Sequence, residues 1–120
     1  MSSKILVVED DAINMDYILV VLKKINGITT EKAINGKIAI DLFNKTNPDI
    51  VLLDIRLPDI DGFEIIKYIK EKSPETIVIA QTAHALQADE ERVLNAGFDA
   101  FVSKPMKPAD LINVVNKYLL

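Results

Sequence analysis

Residues 49–64 read Asp-Ile-Val-Leu-Leu-Asp-Ile-Arg-Leu-Pro-Asp-Ile-Asp-Gly-Phe-Glu. The apolar run Ile50–Leu53 ends at a carboxylate, Asp54, and a helical pattern begins only at Gly62. A run this short and this continuously apolar reads as a strand buried on both faces, the habit of parallel sheets. Asp54 then stands at the carboxyl end of a strand, the edge where open α/β sheets hold their ligands. Acids are favoured at helix N-termini, but here the helix starts several residues beyond Asp54.

Other stretches repeat the design. Ile5-Leu6-Val7-Val8 runs into Glu9 and Asp10, Ile77-Val78-Ile79-Ala80 is followed by Thr82, and Phe101-Val102 by Ser103, Lys104 and Pro105. If these runs are parallel strands, their acids, a hydroxyl and an ammonium converge on one edge. The pattern predicts strands near Lys4–Val8, Ile28–Ala33, Asp49–Leu53, Thr76–Ala80 and Ala100–Ser103. Helices are expected near Ala12–Ile25, Lys37–Lys45, Gly62–Lys72, Ala88–Ala96 and Ala109–Leu119. Met15, Ile18, Leu19, Leu22 and Ile25 recur at helical spacing and predict one buried stripe, as do Leu111, Val115 and Tyr118. Asn26-Gly27, Asn35-Gly36 and Ala96-Gly97 punctuate the pattern as turns and helix stops. Five βα units in succession predict one doubly wound α/β domain over residues 1–120, with helices on both faces.

The composition fits a globular domain. Of 120 residues, 49% are hydrophobic and 27% charged, enough for a single buried core. No apolar stretch approaches the roughly 20 residues of a membrane-spanning helix, so no membrane insertion is expected. Met1-Ser2-Ser3-Lys4 lacks a signal-peptide profile, and a cytoplasmic location is the expectation. A net charge of −4 with scattered lysines argues against direct nucleic-acid binding, which normally uses a basic face. Cysteine is absent, which excludes disulfides and thiolate metal sites.

Glu9, Asp10 and Asp54 carry the chemistry. Two carboxylates about 4 Å apart repel by about 4 kcal/mol at an effective dielectric near 20. Three near one point raise one another's pKa or recruit a cation. Oxygen ligands without His or Cys favour a hard ion, Mg²⁺ or Mn²⁺, which keeps waters and leaves room for a phosphate. Asp11 reads as a simple helix cap. Lys104 is either a surface lysine or an ammonium paired with Asp54, and Pro105 makes a cis bond conceivable at that point. Thr82 either satisfies a nearby backbone group or faces an anion. Asn14 reads as a polar position on the rim.

Taken together, the motifs KILVVEDD, DIVLLDIRLPDIDGFE, IVIAQTAHA and AGFDAFVSKPM resemble the receiver domain of two-component response regulators, and the resemblance covers the entire chain. It implies a flavodoxin-like, five-stranded parallel sheet in the order 2-1-3-4-5 with five helices. It further implies that Asp54 accepts a phosphoryl group from a phosphohistidine. Glu9, Asp10, Asp54 and the backbone carbonyl of Arg56 would hold Mg²⁺, with Mn²⁺ as a substitute. Thr82 and Lys104 would contact phosphoryl oxygens. Thr82 and Phe101 would form the switch, Phe101 being otherwise an ordinary core aromatic. Pro105 would follow a cis bond. Glu9 stands where the family more often has aspartate. Arg56 and His84 fall at variable positions that modulate phosphoryl lifetime, although His84 also reads as a plain loop histidine.

The implied partners are a histidine kinase or histidine phosphotransfer protein, docking near the first helix and the site loops, and a downstream protein target. On this reading the chain is not an enzyme beyond catalysing its own phosphorylation and dephosphorylation. An aspartyl phosphatase commonly carries a second acid two residues after its nucleophile, and Arg56 holds that position here. A phosphate-independent binding module would have no need of Glu9, Asp10, Asp54, Thr82 and Lys104 together. No output segment follows the fifth helix in this sequence. That leaves open a single-domain regulator or a piece of a larger regulator or hybrid kinase.

Overall fold

The computed structural model describes residues 3–83 and 87–119. Strands β1 (Ser3–Val8), β2 (Ile28–Ala33), β3 (Ile50–Asp54), β4 (Ile77–Thr82) and β5 (Ala100–Ser103) alternate with helices α1 (Ala12–Leu22), α2 (Gly36–Thr46), α3 (Gly62–Lys72), α4 (Gln87–Asn95) and α5 (Pro108–Tyr118). All strand pairs are parallel and the order is β2-β1-β3-β4-β5. This is the order that the resemblance implies.

Strand alternation splits the interior into separate layers. Leu6, Val8, Val51, Leu53, Val78 and Ala80 pack under α2, α3 and α4. Ile5, Val7, Ile50, Leu52 and Ile79 pack under α1 and α5, against Met15, Ile18, Leu22, Leu111 and Val115. β3 lies at the middle of the sheet and is buried along its whole length. Burial of a Leu, Ile or Val side chain contributes roughly 1.5–3 kcal/mol, so this strand anchors the position of Asp54.

The ends of the elements follow local chemistry. Asp11 caps α1 by accepting from Ile13 N, as its sequence position suggests. α1 stops at Leu22 and not at the expected Ile25. Lys24 and Ile25 instead donate to Val21 and Leu22 in tightened turns that lead to Gly27, whose φ is 79°. Its buried stripe accordingly takes in Val21, while Ile25 is only half-buried. β2, Ile-Thr-Thr-Glu-Lys-Ala, departs from the continuously apolar pattern because it forms an edge and is mostly exposed. Polar side chains on such an edge discourage further strand pairing.

At the sheet edge opposite Asp54, Lys70 Nζ lies 2.9 Å from Asp99 Oδ2 and donates to Thr76 O at 2.6 Å. Asp99 Oδ2 also accepts from Val78 N at 2.8 Å, which ties α3 to the starts of β4 and β5.

Candidate functional site

The carboxyl ends of β1, β3 and β4 and the segment after β5 meet around a cavity of about 270 Å³ lined by Asp10, Asp54, Arg56, Thr82 and Lys104, among others. Glu9 follows β1 and is fully buried, Asp10 beside it is exposed, and Asp54 ends β3 at 4% exposure. One oxygen from each of these acids lies within 4.8 Å of the others. All the clustered donors are carboxylate oxygens, and Lys104 is the cation paired with two of the acids. That donor set fits a hard divalent cation.

Lys104 Nζ stands 3.1 Å from Glu9 Oε1 and 2.9 Å from Asp54 Oδ2. The lysine is therefore a site residue and not a surface one. Its backbone N–H donates to Thr82 O at 2.8 Å, which joins the ends of β4 and β5. The Lys104–Pro105 peptide bond is cis. Asp54 Oδ1 accepts from the N–H of Arg56 at 3.0 Å. Glu9 accepts from the side-chain amide of Asn14, and its other oxygen from Asp11 N at 3.4 Å. Asn14 is thus more than a rim residue, since it orients the buried acid.

Burial pushes the Asp54 carboxyl up to about 6, and its hydrogen bond with Glu9 acts in the same direction; Lys104 and the Arg56 N–H oppose both. Glu9 goes the other way. Burial raises it, but the hydrogen bonds with Asp54, Asn14 and Lys104 outweigh that and bring it down to about 2. Burial also works against the charge on Lys104, yet hydrogen bonds to Asp54 and Glu9 hold its pKa above the ordinary value. The physical content is simple: of the paired acids, Asp54 is the one that takes a proton.

Thr82 ends β4, is 9% exposed and lines the cavity. Phe101 is half-buried against the layer beneath α2, α3 and α4, and it also lines a surface groove with Pro105 and Val114. It is therefore neither sealed in the core nor free of it. His84 lies outside the described residues.

Several neighbours escape sequence reasoning. Gln81, fully buried, sends Nε2 to Val8 O at 3.4 Å, and its Oε1 has no hydrogen-bond partner among the described residues. A glutamine directly after the apolar run of β4 was the available signal. The Arg92 guanidinium lies 4.3 Å from the centroid of the Phe63 ring, and both line the cavity. Residues on separate helices carry no mutual signal in sequence. Gly62 is required by closeness: a Cβ there would stand 2.7 Å from Ile55 Cα.

The acids and the lysine thus gather at the carboxyl edge of a parallel sheet, where open α/β folds hold their ligands. The family model described as response regulator receiver domain matches residues 5–116, and the chain belongs to that family. It is 35% identical over 121 residues to the polar-differentiation response regulator DivK of Brucella ovis, covering 99% of this chain and 98% of that protein. The receiver domain of the Francisella response regulator 1452 superposes with a TM-score of 0.90 at 31% identity, over 98% of this chain and 96% of that one. The chemotaxis response regulator CheY4 of Vibrio cholerae shares the fold, with a TM-score of 0.90 at 21% identity over 99% of this chain and 100% of that one. The chain is thus a phosphoacceptor receiver domain of two-component signalling. No helix among the described residues is long and apolar enough to cross a membrane.

Proposed function

We propose that Asp54 is the phosphoacceptor and that Mg²⁺, or Mn²⁺ in its place, is held by Glu9, Asp10, Asp54 and the backbone carbonyl of Arg56. One observation carries this reading: Asp54 is buried at the end of β3 with Lys104 at 2.9 Å, and its carboxylate lies within 4.8 Å of oxygens from Glu9 and Asp10. When bound there, such an ion would supply neutralisation of charge developing on the phosphoryl oxygens. The rest is done by the chain. An Asp54 oxygen attacks the phosphorus of a phosphohistidine, a P–O bond forms, and the P–N bond breaks. The imidazole nitrogen keeps the electron pair and takes a proton from solvent. Lys104 stabilises the oxygens of the transferring group, and Thr82 donates its hydroxyl to them.

The acyl phosphate carries a charge of about −1.5 to −2 where the carboxylate carried −1. Thr82 moves toward it, and the half-buried Phe101 fills the space that Thr82 leaves. This repacks the surface formed by α4, β5 and α5 for a downstream protein target. The donor is a histidine kinase or histidine phosphotransfer protein that docks on α1 beside the site. Ile13 and Val20 of α1 are 82% and 58% exposed, and Ile13 lines an apolar groove with Tyr17, Pro105 and Met106. Exposed apolar side chains grouped in this way suit a protein partner. The domain acts in the cytoplasm, binds no nucleic acid directly and does not enter membranes. It turns over no separate substrate, because it catalyses only its own phosphorylation and dephosphorylation. Arg56 and His84 set the rate of the second.

Incubation with acetyl phosphate and Mg²⁺, followed by intact mass, tests the assignment. One phosphoryl group on the wild type and none on Asp54→Ala is the expected result. Phosphorylation of Asp54→Ala to the same extent would overturn it.

A further inference from the structure

The turn from Asp54 to α3 is held from outside by one carboxylate. Asp59 Oδ1 accepts from Gly36 N at 2.8 Å, and Oδ2 accepts from Lys37 N at 3.0 Å. The same Oδ1 accepts from Ile60 N at 2.9 Å, which fixes the acid to its own turn. Gly36 and Lys37 open α2, so an acid of one βα unit occupies the helix start of another.

That helix start already has its own cap, because Asn35 Oδ1 accepts from Ile38 N at 2.9 Å. Helix N-termini need acceptors and favour negative charge. Asn35 meets that need from the adjacent position, whereas Asp59 arrives from 23 residues away and closes the turn onto α2. The approach is tight. A Cβ on Gly36 would lie 2.8 Å from Ile60 Cβ and 3.2 Å from Asp59 Oδ1. The turn is pinned a second time where Gly62 N donates to Ile55 O at 3.0 Å. Between these anchors sits Arg56, whose N–H holds Asp54 Oδ1.

We propose that Asp59 is a positioning residue for phosphoryl transfer: by strapping the turn to the start of α2, it holds the Arg56 backbone in register with the acids. The part that concerns metal rests on the assignment of the Arg56 carbonyl as a ligand. Groups that orient metal ligands from behind change metal affinity by about 10–100-fold when removed. Asp59 touches neither the acids nor Lys104, so its effect runs through the backbone alone.

Asn35→Ala is the control, because it removes the neighbouring cap of the same helix and leaves the strap. Asp59→Ala and Asn35→Ala are both expected to lower the melting temperature. Only Asp59→Ala should weaken Mg²⁺ binding, by about tenfold in a calorimetric titration. Only Asp59→Ala should speed amide exchange at Ile55, Arg56 and Leu57 in metal-free protein. Asp59→Asn keeps one acceptor oxygen and should fall between Asp59→Ala and wild type in both readouts. If Asp59→Ala does not fold, Asp59→Asn against Asn35→Ala decides the matter on the same measurements. Exchange and affinity unchanged in the Asp59 variants, or changed equally by Asn35→Ala, would overturn the strap. A wild type that binds no Mg²⁺ would sink the metal assignment separately, and the exchange comparison would still judge the strap.

Discussion

Lys104 Nζ bridges Glu9 Oε1 and Asp54 Oδ2 at 3.1 and 2.9 Å, so a cation is tethered between paired buried acids before any ion arrives. Removing it leaves Glu9, which is fully buried, without its counter-charge. Breaking such a pair is destabilising because a charge stays behind. The Lys104 side chain is 27% exposed, which moderates the loss. Lys104→Met is expected to cost roughly 1–3 kcal/mol in metal-free urea unfolding at pH 7. Saturating Mg²⁺ should restore part of that. Equal stability of variant and wild type without metal would contradict the pairing.

Asp54 yields a pH prediction. Its carboxyl is raised from 3.8 to about 6 on folding, chiefly by burial. Its contribution to stability is therefore fully present below the unfolded value and is lost as pH rises through about 6. Glu9 has the opposite sign, since its contribution is present above 4.5 and is lost as pH falls through about 2. Asp54→Asn removes the penalty and should stabilise metal-free protein at pH 7 by roughly 1–3 kcal/mol. The gain should shrink toward pH 4. A gain of constant size across that range would refute the raised pKa.

The same proton competes with metal. Ligands must be deprotonated to bind, so Mg²⁺ affinity should fall as pH drops below about 6, and binding there should release a proton. Calorimetry in buffers of different ionisation enthalpy measures that release directly. Proton release that does not grow as pH falls would count against Asp54 as a ligand.

Much of this was legible from residue order. The apolar runs located β1, β3, β4 and β5 to within two residues at each end, because buried parallel strands have few sequence solutions, whereas the exposed edge strand β2 carries no such run. Glu9, Asp10, Asp54, Thr82 and Lys104 were legible because each closes a strand or lies within two residues of its end. The rest depends on chain crossing. Nothing in the residues around Asp59 says that its carboxylate will reach Gly36 and Lys37, and nothing near Gln81 says that its amide will reach Val8. The end of α1 was misjudged for a different reason, since Ile25 keeps the helical spacing after the backbone has tightened toward Gly27.

The glycines offer a paired test of backbone geometry. At Gly62 a methyl group would meet Ile55 Cα at 2.7 Å and Ile55 O at 2.9 Å, and backbone cannot move aside as a side chain can. Gly62→Ala should cost roughly 1–3 kcal/mol and slow phosphorylation by acetyl phosphate, because the displaced turn carries Arg56. Gly27 has open space around it and a φ of 79°, so Gly27→Ala should cost about 1 kcal/mol through conformation alone and leave phosphorylation unchanged. Equal phosphorylation rates in both variants would separate the turn from the chemistry.

Strand alternation has a consequence for how a local event becomes a global one. Asp54 continues the row of Ile50 and Leu52 on the α1/α5 side, whereas Thr82 continues the row of Val78 and Ala80 on the other. The sheet is a wall between separately packed rooms, and its carboxyl edge is a doorway where both open onto the same small volume. A group that lands there bears on both layers at once. No strain has to pass through the wall itself, so the tightly packed interior can stay rigid while the surfaces on either side change.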